Sequence, residues 1–285
     1  MPNHSHCIIV IREGRGEAFA AKISEELRNS DANASPLQLR RGYNRLMSST
    51  SVIAKRALRI HQLLLDHYGE PTWRNPLPAI DELVSTILSQ NTNDTNRDRA
   101  FELLRAALPT WEAVRDAPPE VVVDAIRPAG LANQKGPRIQ QVLRAITAER
   151  GSLDLEFLRD LPKEEARAWL TKFNGVGPKT AAIILQFSLD IPAFPVDTHV
   201  YRVTGRLGLR PEKMAVEDAH PYFESLFPPE TYYAAHLNLI RHGREVCHAQ
   251  NPACDQCVLR RNCNYYKTRV GIKQHSKRPE RRVRL

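Results

Sequence analysis

The stretch Phe173-Asn174-Gly175-Val176-Gly177-Pro178-Lys179-Thr180 decides how this chain folds. Before it, Ala166, Trp169, Leu170 and Phe173 recur at helical spacing and mark one apolar face. After it, Pro178 suits the first position of a second helix, because its fixed φ fits there and the N–H it lacks would have had no partner. Two helices joined by a glycine turn are therefore predicted. Glycines on either side of an apolar residue let a backbone approach a ligand closely, and the free N–H groups that open the second helix direct positive potential outward. Gly175, Val176 and Gly177 thus form a candidate anion site that fits a phosphate oxygen. The plainer reading of the same tripeptide is a turn between two core helices, with Val176 as packing.

Lys179 falls in the first turn of that second helix, where the dipole disfavours a cation. An ordinary lysine has a pKa of about 10.4, so at neutral pH fewer than roughly one amine in a thousand is free to act as a nucleophile. Desolvation can lower that value by several units, more than a helix dipole can. A nucleophilic Lys179 is accordingly expected to be shielded in a cleft. Eighteen residues on, Asp197 precedes the helical pattern Val200, Val203, Leu207 and reads as an N-cap. A carboxylate beside the amine would raise the lysine's pKa. Its chemical use would be to accept the amine's proton or to stabilise a developing cation.

Outward from the hairpin, Leu, Ile and Ala recur at three and four residues, punctuated by Pro and Gly, and strand alternation is scarce. Predicted helices span 51–68, 79–90, 97–108, 119–126, 134–149, 164–173, 178–189, 198–207, 215–226 and 232–247. The fold class is all-α. Residues 1–50 read as a flexible appendage with one helix over 17–27; His4, His6 and Cys7 lie in its frayed end, and Met47 is an alternative start. The chain has 285 residues, enough for about two domains, and a net charge of +9. From Lys267 onward eight Lys or Arg face one acid, Glu280, so this tail carries +7 of that total. It reads as a solvated end that can add phosphate contacts, and its removal should flatten the salt dependence of binding to a polyanion. No apolar run approaches a membrane span or a signal segment, so no membrane partner is expected and the expected location is the cytoplasm.

Cys247, Cys254, Cys257 and Cys263 occupy one 17-residue segment, with six, two and five residues between them. Four thiolates this compact can surround one inorganic centre, and spacing alone allows either zinc or an iron–sulfur cluster. Disulfides are disfavoured in a reducing compartment.

In this order, these segments resemble the endonuclease III family. Its hairpin reads Leu-Pro-Gly-Val-Gly, any residue, Lys-Thr, against Phe173 to Thr180 here, with Phe-Asn replacing Leu-Pro. Val196-Asp197-Thr198-His199 resembles its aspartate segment, and the four cysteines match its cluster loop. Gly130-Leu131-Ala132-Asn133-Gln134-Lys135 resembles the loop from which a leucine enters the duplex, which points to Leu131; a buried loop leucine is the alternative. In Leu88-Ser89-Gln90-Asn91-Thr92-Asn93-Asp94, Asn91 falls where the family usually has glutamine facing the opposite base. The resemblance covers about residues 51–265.

It implies a two-domain helix-hairpin-helix DNA glycosylase fold: a six-helix domain over 73–191, a discontinuous iron–sulfur domain over 51–72 and 192–265, and a basic tail over 266–285. It further implies a [4Fe-4S] cluster on the four cysteines. The implied partner is double-stranded DNA with damaged bases or abasic sites, met by a monomer at the bacterial nucleoid. The implied activity is removal of damaged, oxidised pyrimidines by attack of Lys179 with Asp197 beside it, followed by strand cleavage. Two alternatives stand beside it: a monofunctional mismatch glycosylase, whose relatives generally lack lysine at position 179, and a non-catalytic DNA-binding module, for which Asp197 would have no use.

Overall fold

The computed structural model describes residues 36–72 and 76–268. The expected helix over 17–27, the group His4, His6, Cys7 and most of the basic tail lie outside them. The chain divides into two compact units, Met1–Val52 and Ile53–Leu285. Among the described residues there are helices and turns and no strand, so the all-α expectation holds. The helices are α1 (Pro36–Tyr68), α2 (Ala79–Ser89), α3 (Asp94–Ala107), α4 (Trp111–Asp116), α5 (Pro119–Ala125), α6 (Ala132–Arg150), α7 (Lys163–Thr171), α8 (Pro178–Phe187), α9 (Thr198–Leu207), α10 (Val216–Leu226) and α11 (Tyr232–Glu245). Most lie within a few residues of the periodicity. α1 differs: it starts at Pro36 rather than at residue 51, and no proline interrupts it before Tyr68. α4 was not expected, because six residues are too few to display a helical period.

Local chemistry sets the boundaries. Asn93, Thr110 and Asp197 each accept a backbone N–H from three residues on, at 2.8, 3.0 and 2.7 Å, and so cap α3, α4 and α9. Gly151 and Gly208 take the left-handed conformation that closes α6 and α9.

The second unit has two hydrophobic cores. One is built from α2 to α8 and includes Leu83, Ile87, Leu104, Ile139, Leu143, Ile184 and Leu185, all fully buried. The other joins Ala57, Ile60 and Leu64 of α1 to α9, α10, α11 and the segment around Leu259. Ala193 belongs to the first core and Phe194 to the second, so the chain crosses between them at that peptide bond. The crossing carries backbone groups through a dry region, and side chains satisfy them. Gln186 accepts from Ala193 N at 3.1 Å and Glu224 from Phe194 N at 3.0 Å. His236 Nδ1 donates to Pro195 O at 2.9 Å, since a carbonyl can only accept. Glu224, on α10, also accepts from Lys163 and Arg167 of α7 at 2.7 and 2.6 Å. This ion triad, with the Glu224 side chain only 7% exposed, fastens the two cores beside the crossing.

Candidate active site

The hairpin between α7 and α8 turns as its glycines require. Gly175 has φ +90°, and a Cβ there would lie 2.2 Å from Cδ of Arg138. Gly177 has an ordinary φ of −88° and open space where its Cβ would be. The first glycine is thus needed by the protein itself, whereas nothing inside the protein asks for the second. A bare backbone at Gly177, next to the start of α8, leaves room for something outside to come close. Val176 is 3% exposed and packs into the first core, and its N–H donates to Phe173 O at 3.0 Å, so the residue serves as packing in the turn.

Arg138 lies across this turn. It donates to Gln90 Oε1 at 3.1 Å, and Gln90 Nε2 donates to Gly175 O at 3.2 Å, so the loop after α2 is hydrogen-bonded to the hairpin.

Lys179 is exposed on the first turn of α8. This corrects the expectation of an amine shielded from water. The hairpin turns its first helical residues away from the core, so the protein alone does not dry this group. Asp197, half-buried, sits where the crossing segment enters α9, and its cap bond to Val200 uses Oδ1. The cap reading of Asp197 is therefore met, and the second oxygen is left for other work. The charges of Lys179 and Asp197 converge on one imidazole, that of His236. Burial lowers the pKa of His236 to about 4, against the pull of Asp197 and with the push of Lys179. With Nδ1 donating to Pro195, this neutral ring holds the crossing segment in place behind the two residues. Sequence reading missed His236, which sits in α11 among ordinary core positions; its one signal was a histidine on an otherwise apolar helical face.

Asn91 and Leu131 lie at the tips of two separate loops, both exposed and both with left-handed backbone, φ 51° and 50°. Leu131 is 50% exposed, so the alternative of a buried loop leucine is not what the structure shows.

Cys247, Cys254, Cys257 and Cys263 line a single small cavity with Arg206, Val246, Pro252, Tyr265 and Tyr266, and none of the four forms a disulfide. Burial pushes the Cys257 thiol up to about 11, with its three fellow thiols adding to the rise. Arg206 Nη1 reaches Cys247 Sγ at 3.3 Å and His242 Nε2 reaches Cys257 Sγ at 3.4 Å. Arg202 and Arg206, both on α9, also bond the carbonyl of Cys247, at 3.0 and 3.5 Å. The helix that starts at Asp197 is thereby tied to the first cysteine.

Residues 84–229 match the family model described as HhH-GPD superfamily base excision DNA repair protein. Endonuclease III of Sulfolobus acidocaldarius is 36% identical over 186 residues, a match that covers 65% of this chain and 81% of that protein. The chain belongs to the HhH-GPD superfamily. Another relative in it, endonuclease III of Thermotoga maritima, is 33% identical over 187 residues, 66% of this chain and 83% of its own. A plant protein from Arabidopsis thaliana is 39% identical over 169 residues, which span 57% of its longer chain. Solved complexes of endonuclease III with DNA, one non-covalent and one a trapped covalent intermediate, share the fold with a TM-score of 0.66 at 25% identity, covering 76% of this chain and 98% of theirs. The resemblance read from the hairpin, the aspartate segment and the cysteines is thus a family membership.

Proposed function

We propose that this HhH-GPD protein is a bifunctional DNA glycosylase and abasic-site lyase that acts on damaged, oxidised pyrimidines in double-stranded DNA. The observation that carries the reading is that Lys179, a cation set against the dipole at the opening of α8, and Asp197, the N-cap of α9, both act electrostatically on the imidazole of His236. Phosphate binding has no use for that carboxylate.

In this reading the main chain of Gly175 to Gly177 and the start of α8 hold a phosphate. A damaged nucleotide leaves the stack, and its sugar reaches Lys179. The DNA that covers Lys179 supplies the dryness that the protein alone does not, and so favours the neutral amine. The amine nitrogen forms a bond to the anomeric carbon while the glycosidic bond breaks and its electron pair departs with the base. Asp197 takes a proton from the amine through the oxygen its cap bond leaves free, and stabilises the cationic sugar. The resulting aminal opens as its C1′–O4′ bond breaks and O4′ takes up the proton held by Asp197, which leaves a Schiff base. This makes the C2′ proton acidic, and its loss expels the 3′ phosphate, so that β-elimination cuts the strand on the 3′ side.

The four cysteines are read as the ligands of an iron–sulfur centre. They line one cavity, although among the described residues no group of three or more His, Cys, Asp or Glu forms a metal site. A [4Fe-4S] cluster held by Cys247, Cys254, Cys257 and Cys263 would serve as a structural cross-link. The protein is taken to act as a monomer, in the cytoplasm.

The test is borohydride reduction in the presence of duplexes that carry an oxidised pyrimidine or an abasic site. A covalent adduct is expected with the native protein and none with Lys179→Gln. An adduct that survives the substitution, or base release with no adduct at all, would overturn the lyase mechanism.

A further inference from the structure

Beneath the exposed tips Asn91 and Leu131 lies a lysine that no part of the chemistry uses. Lys135, on the first turn of α6, is 2% exposed and ranks among the largest fully buried side chains of the described residues. Its ammonium donates to Leu88 O at 2.8 Å, to Ala129 O at 2.8 Å and to Thr92 Oγ1 at 2.9 Å. An ammonium has three protons, and here there are three acceptors. Two of them are carbonyls that the helices leave over: Leu88 O closes α2, and Ala129 O closes the 3-10 turn Arg127–Ala129. The hydroxyl of Thr92 adds a bond of its own to Ala129 O. The backbone N–H of Lys135 meanwhile bonds the carbonyl of Leu131 at 2.9 Å. One residue therefore binds the loop that ends in Asn91 to the loop that ends in Leu131.

A buried charge adds little to a core that methionine or leucine could fill, because it must first lose its water. Two other facts give it a purpose. Asn91 and Leu131 both hold a left-handed backbone, which asparagine takes readily but which leucine adopts only under constraint. They also stand on different elements, so nothing local to either loop fixes the distance between them. Both conditions are met by a clip with three directed bonds beneath the pair.

We propose that Lys135 is a positioning residue that sets the spacing between Leu131 and Asn91, so that both enter the base stack together, one filling the gap left by the extruded nucleotide and the other facing its former partner. The inference rests on the reading of the protein as a DNA glycosylase. Side chains of this kind fill a hole in a stacked duplex, and a single strand has no such hole. The clip should accordingly matter for duplex DNA and not for an isolated strand.

The experiment compares the cleavage rate at an abasic site in a duplex with the rate at the same site in a single strand, for the native protein, Lys135→Met, Thr92→Val and Leu131→Ala. Misplacement of a wedge by about 1 Å is expected to lower the duplex rate roughly 100-fold in Lys135→Met, with the single-strand rate unchanged within about threefold. Thr92→Val, which removes a single hydroxyl and leaves the fold intact, should show the same selectivity with about a 10-fold loss. Lys135→Met combined with Leu131→Ala should be no worse on duplex than the more damaging single change, because both disable one device. Equal loss on both substrates, or full duplex activity in Thr92→Val and Lys135→Met, would overturn the clip. Should Lys135→Met fail to fold, Thr92→Val decides alone. A native protein inactive on both substrates would remove the lyase reading, and the clip is then judged by 2-aminopurine fluorescence in bound duplex, which the variants should leave as in free DNA.

Discussion

At the scale of single residues, the two hairpin glycines separate a structural need from a functional one. Gly175→Ala forces a side chain into a left-handed backbone and against Arg138, and should lower stability by about 1–3 kcal/mol. Gly177→Ala meets neither obstacle, so its unfolding midpoint should stay within about 0.5 kcal/mol of native while affinity for duplex DNA falls at least about 10-fold. Denaturant melts and a DNA titration check both. Asp197 divides in a similar way. Asparagine caps a helix as well as aspartate does, so Asp197→Asn should fold normally and lose roughly 100- to 10,000-fold in activity. Asp197→Ala should also lose about 1 kcal/mol of stability with the cap. The cap was legible in the sequence because its partner lies three residues away. Lys135 was not legible as a clip, since its side-chain acceptors on the other loop are 43 and 47 residues distant. The shielding expected for Lys179 failed for another reason: in the proposed mechanism the neutral amine acts on DNA, and the dryness expected of the protein would come from that partner.

At the scale of elements, the crossing from Ala193 to Asp197 sets where the carboxylate stands relative to α8. Its backbone is held by side chains from α8, α10 and α11, and Glu224 serves both this segment and the α7 cations Lys163 and Arg167. Removal of one partner of a buried ion group leaves the others uncompensated. Glu224→Gln should therefore lower stability by about 3–5 kcal/mol, read from chemical denaturation, and should reduce turnover more than DNA affinity because Asp197 drifts while the hairpin stays. The helices themselves could be read from periodicity and from the prolines and glycines that punctuate them. The crossing could not, because its order comes from side chains distributed over three other helices. α4 escaped notice for its brevity, although Thr110 marked its start.

At the scale of the whole molecule, two hydrophobic cores meet around neutral imidazoles. Burial lowers the pKa of His220 and, against the opposing charge of Asp197, takes that of His236 to about 4. In the unfolded chain a histidine titrates near 6.5, so between that pH and about 4 the unfolded state binds more protons than the folded one. Stability therefore rises with pH across this window and is lost as pH falls through it, by up to about 3 kcal/mol for His236. Thermal melts from pH 7 to pH 4 should show the loss beginning near pH 6, and His236→Gln should weaken that dependence. The fold class, the hairpin and the cysteine group were open to sequence reading because each is a local pattern, whereas the neutrality of these imidazoles depends on packing that only the folded chain shows. The most direct measurement of the central claim is peptide mapping by mass spectrometry of the borohydride-reduced complex with an abasic duplex. The expected result is one deoxyribose-derived adduct on the peptide that contains Lys179. An adduct on any other lysine or on an N-terminal amine, with Lys179 unmodified, would contradict it.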